Sequence, residues 1–431
     1  MGATMVPFFR PDIGDDELEE VGQTLRSGWL TTGPMVRAFE TAFQAAVGAE
    51  HALAVNSCTA ALHLALEALG TKPGDAVLVP TLTFAATAEV VRYLGATPIL
   101  VDCDPRTLHI DLVDATRKLE QLRSSRPPGN LPHGLRPVGI IPVHVGGTMV
   151  DVDILNGFAA RHQLWTVDDA AHAFPAAWRR SAAEPWRQCG EDTATISCFS
   201  FYANKTITTA EGGMAVTSNA ALAARMRTMA LHGLSKDAWD RYSGSGTWDY
   251  EIVAPGFKYN LTDVAAAIGI HQLRRSGQMR ARRQQIAEAY LEQLSDVEEI
   301  ELPDVDADRL HAWHLFPIRL SLDALAIDRN EFIRELHREG IACSVHWRPL
   351  HLHRYYRDTF AWCGADLPVA TAVWERLISL PLFSTMTDEE RDAVVTTVRA
   401  LCQRHRRTLA VHSAPYAMDN APAVAGNASV A

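Results

Sequence analysis

Lysine is scarce in this chain: there are five, Lys72, Lys118, Lys205, Lys236 and Lys258, against 35 arginines. Arginine is never deprotonated in a protein and forms no Schiff base, so a lysine kept in such a background is a candidate for amine chemistry. Paired cysteines are missing too. The seven cysteines are scattered, with no C-x-x-C spacing, which speaks against a zinc ribbon or a disulfide framework and for free thiols in a reducing compartment. No run of about 18 apolar residues is present, and Met1–Pro11 lacks the basic and apolar regions of a signal peptide. The expected setting is the cytoplasm, without membrane contact. Positive charge is short as well: the formal net charge of −11 argues against a nucleic-acid partner, which needs a basic face to displace counterions. Neither a Walker A nor a G-x-G-x-x-G pattern occurs, which argues against NTP hydrolysis and dinucleotide redox chemistry.

What is present reads as a large α/β enzyme. At 431 residues, 47% of them hydrophobic, the chain can bury an extensive core and is expected to form two unequal domains around a cleft. Between Ala52 and Ser218, short apolar runs such as Ala76–Pro80, Pro98–Asp102, Leu164–Asp168 and Gly213–Thr217 alternate with helix-like stretches. That alternation predicts βα units and a mostly parallel sheet covered by helices, whose ligands gather at the strands' carboxyl ends. The resulting division is a large domain over 1–261, a connecting long helix over 262–300, a smaller α+β domain over 301–408 and a disordered tail over 409–431. Two stretches, Arg123–Arg136 and Trp178–Asp192, read as inserted loops, either near the cleft or as surface decoration.

Three motifs carry chemistry. Ser200-Phe201-Tyr202-Ala203-Asn204-Lys205 leaves an apolar strand and heads for Glu211-Gly212-Gly213, placing Lys205 just past a strand's carboxyl end. There its amine can bond to a pyridoxal-phosphate (PLP) aldehyde while Ser200 offers a hydroxyl to the phosphate; an exposed surface lysine is the alternative. At Val167-Asp168-Asp169-Ala170-Ala171-His172 a strand ends in two carboxylates, and PLP needs one against its ring nitrogen. Asp169 is the choice, against a reading in which one aspartate caps a helix and the other is solvated. A metal site from Asp168, Asp169 and His172 lacks a further ligand pair nearby, and none is predicted. At Asn56-Ser57-Cys58-Thr59-Ala60-Ala61-Leu62 a strand turns into a helix whose free N–H groups and dipole suit a phosphate, unless Ser57 and Thr59 are an ordinary cap.

Taken with Gly28–Pro34, Pro80–Phe84, Pro142–His144 and Lys258–Asp263, these ordered blocks resemble the PLP-dependent sugar aminotransferases of the DegT/StrS type, from about Phe8 to about Arg399. The resemblance implies the aspartate aminotransferase fold, PLP fold type I. It implies that Lys205 bonds the cofactor, that Asp169 meets the pyridine nitrogen, and that Thr59, the Ala60 amide and Ser200 hold the phosphate. Phe84 matches an aromatic stacked on the cofactor ring, with a core phenylalanine as the alternative. His172 falls beside the ring. Asn260 matches a residue reaching the neighbouring subunit's phosphate, which implies a homodimer with shared sites. His346 falls on the small-domain strand over the sugar and is the substrate-contact candidate, while His351 and His353 are expected on the surface.

The implied reaction moves an amino group from an amino acid, glutamate by analogy, to a nucleotide-linked keto-sugar. C4 of an NDP-4-keto-pentose or NDP-4-keto-6-deoxyhexose is the expected position, a C3-keto-sugar or keto-cyclitol the alternative. Arginines are expected to line the cleft and hold the substrate's anionic groups. A sugar dehydratase of the same fold would carry histidine where this chain has Lys205, and a non-catalytic scaffold would not need a complete cofactor set. The sequence departs from its relatives at Asp168, commonly Glu, and at Phe174–Ala177 with the insert that follows, which bears on the fit of any familiar substrate.

Overall fold

The computed structural model describes residues 5–124, 129–234 and 250–407. Nine strands form in the first half: β1 (His51–Val55), β2 (Asp75–Pro80), β3 (Thr97–Val101), β4 (Arg136–Ile140), β5 (Trp165–Asp169), β6 (Ala177–Trp178), β7 (Arg187–Gln188), β8 (Ile196–Ser200) and β9 (Gly213–Thr217). Seven of them build one sheet in the order β1-β9-β8-β5-β4-β2-β3. Its centre is parallel, and only β9 runs against its neighbours β1 and β8. The apolar runs predict this arrangement because helices cover both faces: every residue of β2, β3 and β9 is buried, so no polar alternation is needed.

The chain's second half makes a smaller antiparallel sheet, β10 (Ile300–Glu301), β12 (Phe316–Leu320) and β13 (Leu377–Leu380), packed against the helices Arg329–Arg338 and Asp388–His405. The remaining short strand, β11 (Arg309–Leu310), pairs with β6. The helix Asp263–Gln293, capped by the Thr262 side chain accepting from Ala265 N, serves both halves. Ala266, Ile270 and Leu273 pack with Phe39 and Phe43 of the large half, whereas Ile286, Ala287 and Tyr290 enter the core of the small one. Three of its arginines are engaged in contacts across elements. Arg275 bonds Asp12 and Glu17, Arg282 bonds Asp388, and buried Arg283 donates to the carbonyls of Trp313 and Leu382.

Two expectations change. The amino terminus does not stay with the large half: Val6 pairs with Gly340 and Ala342 and belongs to the small core. The Trp178–Asp192 insert is not a cleft loop but a short hairpin, β6 and β7, clasped to β11. Arg179 sits over the Trp186 ring at 4.4 Å and bonds Asp308 at 2.8 Å, so the hairpin ties the large half to the segment between β10 and β12. Within the other insert, Asn130 N bonds the Phe360 carbonyl; positions 125–128, like the tail beyond 407, lie outside the described residues. No helix among the described residues is long and apolar enough to cross a membrane.

Candidate active site

A cavity of about 510 Å³ opens between the two halves at the carboxyl ends of β5 and β8. Ser57, Thr59, Phe84, Asp169, His172, Ser200, Lys205 and His346, predicted from scattered motifs, all line it.

The chain brings them together for local reasons. After β8 ends at Ser200, Phe201 N bonds the Gly212 carbonyl and Thr209 N the Phe201 carbonyl, so the 201–209 turn is pinned to the start of β9. Lys205 N closes a tight turn onto Tyr202 O, directing its side chain back over the strand ends. Side chains alternate along β5, and this separates the two aspartates. Asp168 turns away, accepting from Thr193 Oγ1 and Ser197 Oγ, each at 3.0 Å. Asp169 faces the cavity and accepts from Thr87 Oγ1 at 2.7 Å and Ala171 N at 3.2 Å.

The electrostatics suit an amine that must lose a proton. Burial pulls the Lys205 amine down from 10.5 to about 8, against the opposing pull of Cys58 and Asp169. Burial raises the Asp169 carboxyl, offset by Thr87, Ala171 and Lys205. His172 and His314 are held well below the usual imidazole range by burial and then by neighbouring groups, His346 at about 4 by burial and then Lys205. All three rings are neutral at pH 7.

These residues fit a phosphorylated aromatic aldehyde. Phe84, 61% exposed, presents its ring to the cavity, which rules out the core-packing alternative. Thr59, Ser200 and Asn204 line the cavity around the start of the helix Cys58–Ala68, and Asn204 Oδ1 is buried without a partner. A Cβ at Gly213 would lie 2.5 Å from Ser57 C and 2.6 Å from Cys58 N, so glycine alone lets β9 press against that helix start. The Ala60 amide is taken by the Ser57 hydroxyl at 3.1 Å, the ordinary cap that the sequence left open.

Asn260 does not line this cavity; its amide donates to Thr32 Oγ1 at 2.8 Å. His351 is fully buried, contrary to the surface expectation, with Nδ1 at 2.7 Å from Thr81 Oγ1 and Nε2 at 2.9 Å from Thr371 Oγ1. His353 is exposed. The expected arginines are absent: among the described residues Lys205 is the only lysine or arginine lining the cavity. A second cavity of about 450 Å³ is lined by Arg106, Arg309 and Arg319. Their guanidinium groups pair with Asp304, Asp151 and Glu301, and no amine lines it.

Four contributors escaped the sequence reading. Thr87 holds Asp169; its only signal is its place four residues after Thr83 at the start of a helix. His314 brings Nε2 to 3.4 Å from Lys205 Nζ, and Trp347 stacks on His172 at 5.1 Å, both from the small half, where no local pattern marks them. Asn204, adjacent to Lys205, completes the set.

Comparison with known proteins agrees with this geometry. A family model described as the DegT/DnrJ/EryC1/StrS aminotransferase family matches residues 11–399. The spore coat polysaccharide biosynthesis protein SpsC of Bacillus subtilis is 42% identical over 395 residues, covering 91% of this chain and 96% of its own. Among solved structures, the PLP form of Spr1654 from Streptococcus pneumoniae, described as a sugar aminotransferase, superposes with a TM-score of 0.81 at 31% identity, over 93% of this chain and 99% of that one. The sugar aminotransferase CalS13 from Micromonospora echinospora gives 0.78 at 28% identity, over 92% of this chain and 100% of its own. With a buried lysine amine facing a carboxylate in the matching fold, the chain is a PLP-dependent enzyme and belongs to the DegT/DnrJ/EryC1/StrS aminotransferase family.

Proposed function

We propose that the enzyme moves an amino group from glutamate to the C4 keto group of a nucleotide-linked sugar, an NDP-4-keto-pentose or an NDP-4-keto-6-deoxyhexose, in two half-reactions that share one cavity. The observation that carries this reading is the Lys205 amine, lowered to about 8, sharing a cavity of about 510 Å³ with the Asp169 carboxylate. That volume lies within the range of small-molecule sites. When bound, PLP supplies an aldehyde carbon that carries the amino group and a protonated ring that draws electrons from the neighbouring carbon. Asp169 would face the ring nitrogen, its orientation fixed by Thr87 and Ala171. Phe84 and His172 would flank the ring, and Thr59, Ser200 and Asn204 would hold the phosphate.

Lys205 then has two tasks, to bond the cofactor at rest and to carry a proton once freed. A base working near neutral pH needs a pKa near that value, and burial supplies the shift. His346, with Nδ1 bonded to Ser379 Oγ at 2.9 Å and its ring stacked on Phe8 at 5.5 Å, is held at the wall where a sugar would lie. Because the wall is poor in cations, the sugar ring rather than the diphosphate belongs deep in the cavity. The nucleotide's charges would be met at the rim and by a second subunit.

The reading includes a homodimer. Asn260 does not line its own cavity, and the large apolar side chains Phe84 on the cavity wall and Tyr93 and Tyr355, which together line a neighbouring pocket with Ala85, are 49–61% exposed. Solvent is a poor environment for such a cluster, and a second copy would cover it.

The test is a half-reaction panel. The pyridoxamine form is mixed with NDP-4-keto-pentoses, NDP-4-keto-6-deoxyhexoses, 3-keto-sugars and keto-cyclitols, and the absorbance of the restored pyridoxal form is followed. Turnover with an NDP-4-keto-sugar supports the assignment. Success of a cyclitol ketone alone, with every nucleotide sugar inert, replaces the substrate class, and a chain that forms no coloured complex with PLP at all is a scaffold.

A further inference from the structure

His314 lies 109 residues from Lys205 in sequence, in the other half of the molecule, yet its Nε2 is 3.4 Å from Lys205 Nζ. The contact is built rather than incidental. Ala312 N bonds Gly147 O at 2.8 Å and Leu315 N bonds Gly146 O at 3.0 Å, so the segment carrying His314 is laced to the loop after β4. A Cβ at Gly147 would lie 3.2 Å from His314 N and 2.8 Å from His172 O, so that loop makes room for the approach. The His314 ring packs on His172 with centroids 4.2 Å apart. His172 is itself fixed, its Nδ1 accepting from Gly146 N at 3.3 Å, which leaves its proton on Nε2. His314 Nδ1 is buried without a partner.

An ammonium has no lone pair. Whatever bonds Lys205 in its protonated form must therefore accept, and a neutral imidazole can accept through Nε2 only by carrying its own proton on Nδ1. The groups facing Lys205 from every side are Cys58 on the helix start, Asp169 on β5, His172 after it, and His314 and His346 from the small half. Of these, His314 is the one whose hydrogen bond to Nζ the structure defines.

We propose that His314 is a positioning residue for Lys205: its Nε2 accepts from the amine whenever Nζ is not bonded to the cofactor, and so holds the freed base over the reacting carbon. Without that acceptor the four-carbon side chain is free to rotate toward the rim, where exposed Tyr202 and Glu211 stand. This rests on the amine role of Lys205 given above, and its test is separable from it. The small half supplies the acceptor, so the packing of its 312–315 segment on the Gly146–Gly147 loop sets the position of the base.

The experiment measures the amine directly in the cofactor-free protein. Competitive acetylation with trace acetic anhydride from pH 6 to 10, read by peptide mass spectrometry, gives the titration midpoint of Lys205 in the wild type, H314F, H314N and H314Q. The wild type is expected near 8. H314F and H314N, which cannot accept at that distance, shift the midpoint down by about one pH unit, and H314Q restores it. In the holoenzyme the same two variants lower kcat about tenfold while KM for the amino donor stays within about twofold. H314N carries the test if the phenylalanine variant does not fold. An unchanged or raised midpoint in H314N overturns the proposal, even if the enzyme aminates its sugar normally. Loss of sugar turnover with the predicted midpoints would overturn the substrate assignment and leave His314's role standing.

Discussion

A lysine held at a pKa of about 8 destabilises the protein that holds it, and the amount can be worked out. The depression from 10.5 spans between two and three pH units, and at about 1.4 kcal/mol per unit the burial of Lys205 costs roughly 3 kcal/mol. The cost depends on pH with a definite sign. Below pH 8 folded and unfolded chains both carry the proton, and the whole cost stands. Between 8 and 10.5 the folded chain sheds its proton first, the unfolded chain binds more protons, and stability rises with pH. Lys205→Met keeps the length and removes the charge. The cofactor-free variant is therefore expected to exceed the wild type by roughly 3 kcal/mol at pH 7 and by no more than about 1 kcal/mol at pH 10. Urea unfolding of both cofactor-free proteins at the two pH values, followed by tryptophan fluorescence, measures the difference. A gap of equal size at both pH values, or a variant less stable at pH 7, would refute the argument, because neither follows from a buried ammonium.

Other consequences are sharp enough to check. Asp169→Asn keeps only one of the two oxygens that accept from Thr87 and Ala171 and loses the charge, so kcat should fall about 10- to 150-fold, the 1.5–3 kcal/mol of a charged hydrogen bond, while circular dichroism shows the fold retained. Thr87→Val removes the 2.7 Å donor that lowers the Asp169 carboxyl, and the pH titration of the bound cofactor's visible band should move, with a stability loss of about 1–2 kcal/mol. Gly213→Ala drives a methyl into the start of the helix Cys58–Ala68, and the PLP dissociation constant from spectroscopic titration should rise about tenfold or more. An unchanged constant there would mean that the helix start does not shape the phosphate end.

Much of this molecule was legible before any coordinates, for identifiable reasons. Strands buried on both faces must be continuously apolar, and turns between strand and helix must carry small or hydroxyl residues, so β2, β3, β8 and β9 and the positions of Lys205, Asp169 and Thr59 follow from short-range pattern. Even the choice between Asp168 and Asp169 is a matter of strand alternation once the end of β5 is fixed. What pattern does not carry is long-range convergence. His314, Trp347 and Thr87 reach the site through packing between separate segments, and nothing next to them in sequence distinguishes them from core residues. The hairpin β6–β7 looked like a loop because its strands are two residues long and owe their pairing to distant Arg309 and Leu310. His351 read as a surface histidine in a polar run, but its two ring nitrogens are satisfied by Thr81 and Thr371, each at least 20 residues away.

The arginines misled for a related reason. The substrate's anionic groups called for arginines in the cleft, whereas the structure places them between elements: Arg283 on two buried carbonyls, Arg309 on Asp151, Arg319 on Glu301 and Arg179 on Asp308. A guanidinium fork is better suited than an ammonium to such multiple, partly buried contacts, so an arginine-rich composition is consistent with use in the framework. The consequence for function is specific. Among the described residues no arginine joins Lys205 on the cavity wall, and each added cation would oppose the amine's charged form and lower its pKa further. Keeping arginine away from Nζ therefore leaves the amine at about 8 rather than lower, where it can still hold a proton between half-reactions and release it near neutral pH.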